Sequence, residues 1–597
     1  MKRLACLGYV AALLGAAALP ATAQGGLHPR REIAGFDFAA NGAFRPWARR
    51  VRAQRAALLA RGDFRSLNAA LAAGAPAPSP TAVSGTLQIP AVLFTFKDTP
   101  LPLPPSRDTG SYTSVLFGAT PPGGRPYTER TFYEQMSHGL LSLQGHALGY
   151  AALDSNEVHY AGAPSCTGNP FGTANCNGFF NSAAIDSMQT ALREALRKVD
   201  NIIHPDWSTF TYDPATGFLN LVIFVQPAPD GACGGATNNH FWSHRYYLLQ
   251  PYQTQTPWPG HAGLFLQIRD YTLQSGVGGA TACDSTTIMP IGTTSEETGH
   301  AFGLPDLFDL SFVSSGVGEW SLMSYGVYTA PLSPSRMDAW CLSQLGWITL
   351  VPLSTAGTYT IGPVTPAGDT AFLVTVQGAN PRGEYFLLEN RAAALADTAL
   401  IGHVCAVSGN PPGCGGGLLV WHVDSTQMAN TLALNTVNEG PIHGLELVQA
   451  DGLGNLDRNP STDPLANRGD AGDPYPGIGA NTGFAFRTNP PALKNWGLQN
   501  FVGFAVDSIR LATPQRAVTF RLRFGVLRPL ATADVVAQLL TGTSPLTAAD
   551  LVALDLWGNS NGRFDVGDFL AWVQSTGAPL TARERALVQA LAVPGAR

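Results

Sequence analysis

The stretch Ser295-Glu296-Glu297-Thr298-Gly299-His300-Ala301-Phe302-Gly303-Leu304-Pro305-Asp306 decides how this chain is read. Residues four apart on a helix share one face, so Glu296 and His300 can point at a single ion. Glu297 stands beside them, placed to take a proton from a metal-activated water. Gly303 lets the backbone turn where the helix ends, which would bring Asp306 round as a third ligand. Imidazole nitrogen and carboxylate oxygen are both ordinary zinc donors. The run differs by one letter from the zinc-site pattern H-E-x-x-H followed by a third ligand, because Glu296 stands where that pattern has His.

A short run of Glu, Gly and His can arise by chance on any helix, so a second signal matters. Gly318-Glu319-Trp320-Ser321-Leu322-Met323-Ser324-Tyr325-Gly326 resembles the methionine turn beneath the metal of metzincin proteases. Met323 fits the apolar floor, and Tyr325 fits a residue that reaches the metal or the reacting oxygen. The two signals together predict a mixed α/β, metzincin-like protease core.

Further stretches resemble the immune-inhibitor-A-like family of secreted bacterial zinc metallopeptidases. They are Val92 to Asp98, Phe241-Trp242-Ser243-His244-Arg245, Leu345-Gly346-Trp347, Glu384 to Arg391 and Gly417 to Asp424. The resemblance spans roughly residues 88 to 525. It implies Glu297 as general base and His300 and Asp306 as zinc ligands. It does not extend to Glu296, where the family has His.

Glu296 leaves three cases open. It ligates the ion, making a set of two carboxylates and one imidazole that is more negative by one charge and polarises water less. Or the oxygen-rich site holds zinc poorly and favours a harder ion such as manganese or calcium. Or no ion binds, and the chain is a pseudopeptidase that serves as an extracellular binding protein.

At 597 residues the chain is too long for one ordinary core and should divide into three or four units. Hydrophobic content of 45% against 13% charged, with 65 Gly and 45 Pro, points to strands and loops over long exposed helices. A net charge of -6 and no basic block argue against a nucleic-acid partner. Lys2 and Arg3, the apolar run Leu4 to Leu19, and Pro20-Ala21-Thr22-Ala23 read as a signal peptide over 1–23, and hence an exported protein. No later stretch is long and apolar enough to span a bilayer.

Export makes disulfides plausible. Cys166 with Cys176, and Cys405 with Cys414, bracket short loops and suggest local staples; Cys233 with Cys283 is a further pairing. That leaves Cys341 free. None has C-x-x-C spacing, so a thiolate metal site is not expected.

Residues 24–87 form an N-terminal arm, Arg-bearing from Pro46 to Leu59 and ending in the Pro-rich linker Ala73 to Pro80. It reads either as a propeptide, with no Cys to cap a zinc, or as a solvated helical arm. The catalytic unit is expected over 88–350, with a buried strand at Leu219 to Val225 and an amphipathic helix at Ser182 to Val199. His240 and His244 are also four apart, but their aromatic surroundings favour structural use or cleft lining. Residues 351–525 should form a β-sandwich, for example through Thr358 to Ile361 and Ala517 to Leu522. Within it Asp451, Asp457, Asp463, Asp470 and Asp473 cluster in Gly- and Asn-rich loops, where carboxylates either bind calcium or make solvated turns.

Residues 526–597 should be a small α-helical, dockerin-like module. Asn559-Ser560-Asn561-Gly562-Arg563-Phe564-Asp565-Val566-Gly567-Asp568 resembles an EF-hand-type loop, with oxygen ligands at Asn559, Asn561, Asp565 and Asp568. Trp557 occupies the first ligand position, and Asp555 lies two residues too early to replace it. The expected whole is a secreted, zinc-dependent endopeptidase acting on proteins or peptides. A cohesin-like or cell-surface partner would engage the C-terminal module.

Overall fold

The computed structural model describes residues 46–73, 79–162, 182–233, 240–279, 283–495, 500–512, 516–526 and 528–592. The signal-peptide reading and the Cys166–Cys176 pairing lie outside these residues.

Helix α1 (Pro46–Ala60) opens the described chain. Its Ala48, Val51 and Leu58 are buried in the same apolar core as the motif region. Arg55, 2% exposed, donates to the carbonyls of Leu67 (2.8 Å), Thr81 (2.5 Å) and Ser343 (2.5 Å). A buried guanidinium needs such acceptors. This part of the arm is therefore packed, and the reading of it as a solvated helix is corrected.

Five strands form the first sheet: β1 (Gly85–Thr95), β2 (Leu141–Ala152), β3 (Val222–Gln226), β4 (His244–Pro257) and β5 (Phe265–Ser275). Their order is β2-β1-β3-β5-β4, parallel throughout except for the antiparallel edge strand β4. β1 and β3 are apolar on both faces, as a strand covered from both sides must be. On one face lies α3 (Ser182–Ile202), which buries Met188, Leu192, Leu196 and Val199 at helical spacing. On the other lie α2 (Glu129–Met136) and α4 (Gly292–Ala301), the motif helix, followed by α5 (Ala339–Leu345) with the buried free thiol of Cys341. His244 bonds the hydroxyl of Tyr271 (2.9 Å) and the carbonyl of Trp242 (2.8 Å), while His240 meets Glu157 (2.8 Å). Both imidazoles thus have structural partners within this domain.

Two more sheets follow. One has the order β11-β10-β9-β8-β6, from β6 (Thr349–Pro352), β8 (Thr370–Thr375), β9 (Tyr385–Ala392), β10 (Gly416–Val423) and β11 (Leu445–Val448). The other is β12-β13-β7, from β7 (Gly357–Ile361), β12 (Phe504–Leu511) and β13 (Val518–Phe524). Alternation divides the larger sheet between two cores. Phe386, Leu388 and Val420 join Phe504, Val518 and Phe520 of the smaller sheet, whereas Leu387, Leu419 and Trp421 join the core that also holds the motif region. The larger sheet is therefore a shared wall, which lets its loops reach the motif.

Four helices close the described chain: α6 (Thr532–Thr541), α7 (Ala548–Trp557), α8 (Val566–Thr576) and α9 (Ala582–Ala592). They pack on the preceding region. Trp557 lies 5.0 Å, ring to ring, from both Phe486 and Phe501, and Asp555 pairs with Arg523 of β13. The disulfides Cys233–Cys283 and Cys405–Cys414 are both present.

Candidate metal centre

Helix α4 carries Thr, Ser, Glu and His, yet Thr294 through Ala301 are all buried. A polar helix inside a protein must have its groups answered by neighbours. On the side facing α2, Glu129 accepts the hydroxyls of Thr298 (2.6 Å) and Thr294 (3.1 Å), and the Tyr133 hydroxyl donates to the Ser295 carbonyl (2.5 Å). Burial pushes the Glu129 carboxyl up to about 7, against the pull of the two threonines. Burial and the charges of Glu129, Glu296 and Glu297 push the Tyr133 phenol well above its ordinary range.

Another side of α4 lies over Met323. A Cβ on Gly299 would sit 2.5 Å from Met323 Sδ and 3.3 Å from Met337 Cε, so only glycine lets the helix settle on that methionine. The helix ends at Phe302, and Gly303 takes φ +83°, turning the chain back toward its own last turn. His300 Nδ1 then meets the Leu304 carbonyl at 2.8 Å, which fixes the ring and directs Nε2 to the ligand side.

His300 Nε2 lies 3.6 Å from Glu296 Oε1 and 3.4 Å from Asp306 Oδ1, and all three side chains are fully enclosed. Their three ligand atoms fall within 4.8 Å of one another. Donors about 2.1 Å from a tetrahedral zinc stand about 3.4 Å apart, so the observed separations suit such an ion. Glu296 is in the site rather than turned away from it. Glu297, also buried, is its chain neighbour.

Asn435 is a participant that sequence reasoning missed. It lies in the loop after the segment Ser425–Thr431, adopts φ 58°, and is 1% exposed. Its amide oxygen accepts from the Asp306 backbone N–H (2.8 Å), and its amide nitrogen donates to Asp306 Oδ2. Asp306 Oδ1 is the oxygen turned to His300 Nε2. Asn438 donates to the next carbonyl, Leu307 (2.7 Å), and Leu307 N–H donates to the Met323 carbonyl (2.8 Å). Only the Asx chemistry of Asn435 and Asn438 hinted at this, and nothing in sequence pointed it at a residue so far upstream.

Tyr325 packs on Phe308 with ring centroids 5.5 Å apart, and the Arg468 guanidinium sits 4.0 Å over its ring. Burial raises the Tyr325 phenol while Arg468 opposes the rise. Arg468 was likewise not singled out from sequence.

The C-terminal loop is arranged differently. Asp568 accepts from the N–H groups of Asn559 (2.8 Å) and Asp565 (2.9 Å), Asp565 takes the side-chain amide of Asn561 (2.8 Å), and Asp555 accepts Gly562 N–H (2.9 Å). These side chains bond mainly to the loop itself.

The geometry can be set beside known proteins. Residues 106–348 match the immune inhibitor A peptidase M6 catalytic domain. The matched span holds the motif helix, Asp306 and the methionine turn. The chain is also similar to pre-pro-metalloprotease PrtV of Vibrio cholerae serotype O1, at 26% identity over 296 residues, covering 43% of this chain and 29% of that protein. Immune inhibitor A of Bacillus thuringiensis subsp. alesti is 23% identical over 240 residues, covering 37% of this chain and 32% of that protein. The chain thus spans about a third of the length of the curated relatives it matches. No helix among the described residues is long and apolar enough to cross a membrane.

Proposed function

We propose that this chain is a zinc-dependent endopeptidase that hydrolyses peptide bonds in proteins. The observation that carries the reading is the convergence of Glu296, His300 and Asp306 ligand atoms within 4.8 Å. Zinc held by these three residues would supply Lewis acidity to a water and to the scissile carbonyl. Glu297 takes the proton of the attacking water and returns it to the leaving amine. Its enclosure keeps bulk solvent from competing for that proton. Tyr325 donates a hydrogen bond to the developing oxyanion, a role suited to a phenol that burial keeps protonated. Met323 supports the helix from below.

Two carboxylates and one imidazole make a more negative site than two imidazoles and one carboxylate. The optimum should therefore lie at higher pH than in a variant with His at 296. Zinc content and casein hydrolysis of the purified chain, Glu297→Gln and Glu296→His test the reading together. The parent should hold about one zinc and lose activity in chelator. Glu297→Gln should keep the metal and lose about 10²–10⁴-fold in rate. An inactive parent that gains activity only on Glu296→His would replace this reading with a pseudopeptidase.

Export rests on the leader pattern of residues 1–23. For the C-terminal helices, the dockerin-like reading, with calcium at Asn559, Asn561, Asp565 and Asp568 and a cohesin-like or cell-surface partner, rests on sequence pattern. A calcium-dependent shift in melting that Asp565→Asn removes would test its metal.

A further inference from the structure

We propose that Arg391 of β9, which lies outside the span matched to the catalytic domain, is a positioning residue for the motif helix and acts through the two methionines beneath it. Its consequence for catalysis rests on the peptidase reading given above.

The height of the motif helix is set at Gly299, where an added Cβ would meet Met323 Sδ at 2.5 Å and Met337 Cε at 3.3 Å. Met337 is fully buried, yet residues 334–338 form neither helix nor strand. Buried backbone without a ladder of its own must be answered from elsewhere. Arg391 answers it twice, through Nη1 on the Arg336 carbonyl (3.4 Å) and Nη2 on the Met337 carbonyl (3.1 Å). The Arg336 carbonyl also accepts Leu322 N–H (3.2 Å), which ties the same point to the residue before Met323. One residue further on, the Ser321 hydroxyl donates to Asp338 Oδ2 (2.6 Å) and its oxygen accepts Met323 N–H (3.3 Å). Both methionines are thus carried on one hydrogen-bonded frame, and Arg391 is the part of it that comes from the second sheet.

Arg391 is itself fixed, being 1% exposed and paired with Glu389 Oε1 (2.8 Å) and Asp397 Oδ1 (3.1 Å). Asp397 Oδ1 accepts Arg336 N–H as well (3.1 Å), while Glu389 Oε2 accepts Trp421 Nε1 (2.9 Å) and Ala339 N–H (3.2 Å). Neutralising two enclosed carboxylates would need only a cation. The two carbonyl contacts go beyond that need, and they are the ones directed at the floor. A planar guanidinium with five donors can serve all four acceptors at once, which the three donors of a point-charged ammonium cannot do in the same geometry.

The test compares the full chain as purified with Arg391→Lys and with Val518→Ala, a control in the core between the two later sheets. Amide hydrogen exchange is followed by peptide, beside zinc content and the kcat and KM of casein hydrolysis. In Arg391→Lys, exchange over residues 296–302 and 336–338 should quicken at least about tenfold while β12 and β13 keep the protection they have in the parent. Its kcat should fall about 10²-fold with KM within about twofold. Val518→Ala should loosen β12 and β13 and leave the motif helix and kcat as they are. Exchange over 296–302 that matches the parent in Arg391→Lys, or that rises equally in every element, overturns the proposal. If Arg391→Lys does not fold, Asp397→Asn loosens the same guanidinium while keeping an oxygen for Arg336 N–H, and the same pattern of exchange is required of it. A parent without zinc or casein hydrolysis would strike the peptidase reading alone, since exchange still decides whether Arg391 holds the helix.

Discussion

Two loops of this protein depart from a metal-binding pattern at the same place, the first ligand, and the fold treats them in opposite ways. At the helix motif, Glu296 replaces the expected His, and its oxygen still reaches within 3.6 Å of His300 Nε2. Its neighbours hold it ready: Leu304 fixes His300, and Asn435 occupies the other oxygen of Asp306. At the C-terminal loop, Trp557 replaces the expected Asp and is drawn into a cluster with Phe486 and Phe501. Asp565 there is the N-cap of α8, and Asp568 closes its capping box by accepting the Asp565 N–H. At the motif the changed residue keeps its place beside the other two donors, whose orientation is held by Leu304 and Asn435. Where the donors are used to cap a helix, the loop has a structural occupation of its own.

The comparison can be broken experimentally, and Glu296→Ala is the hardest test. Zinc retained after desalting should fall from about one equivalent to none; full retention would mean that Glu296 holds nothing. Next comes Glu129, on the opposite side of the helix. Its carboxyl is raised from 4.5 to about 7, so the folded state prefers the protonated form. Stability conferred on the protonated form is present below pH 4.5 and is lost as pH climbs through about 7. Glu129→Gln should remove that loss, on the order of 3 kcal/mol, seen as a flatter melting temperature between pH 5 and 8. Asn435→Ala should weaken zinc binding about 10- to 100-fold, measured by competition with a chelating dye, while leaving Glu297 in place. The smallest effect is expected at Asp565→Ala, which loses the N-cap of α8, worth about 1 kcal/mol. Chemical denaturation in calcium-free buffer measures it, and an unchanged midpoint would show that the cap contributes nothing.

The site was legible in sequence wherever its logic is local. The four-residue step from Glu296 to His300, the turn at Gly303 and the sulfur of Met323 follow from helix geometry and one flexible residue. Asn435 and Glu129 were not legible, because each meets the motif through tertiary contact from a distant segment, and an isolated Asn or Glu carries no period. In the first sheet the apolar run at Val222 to Val225 could be read as a strand, while Leu141–Ala152, His244–Pro257 and Phe265–Ser275 carry no such run. That the larger second sheet would serve two cores at once could not be read, since alternation reveals two faces without naming what covers each. The aspartates between 451 and 473 could be counted but not sorted, as Asp463 goes to Arg458, Asp457 to the Gln449 amide and Asp473 to Trp320 Nε1 through tertiary contacts.

Helix α1 brings one consequence for how this protein is made ready to work. Trp47 meets Phe302 edge-on at 6.4 Å, two residues beyond His300, and Arg55 ties the helix to carbonyls on three separate segments. Removing this helix would strip cover from the back of the motif helix and strand those carbonyls in an apolar interior. Any cleavage that keeps the motif helix packed must fall upstream of this helix, or leave the severed piece clamped where it lies.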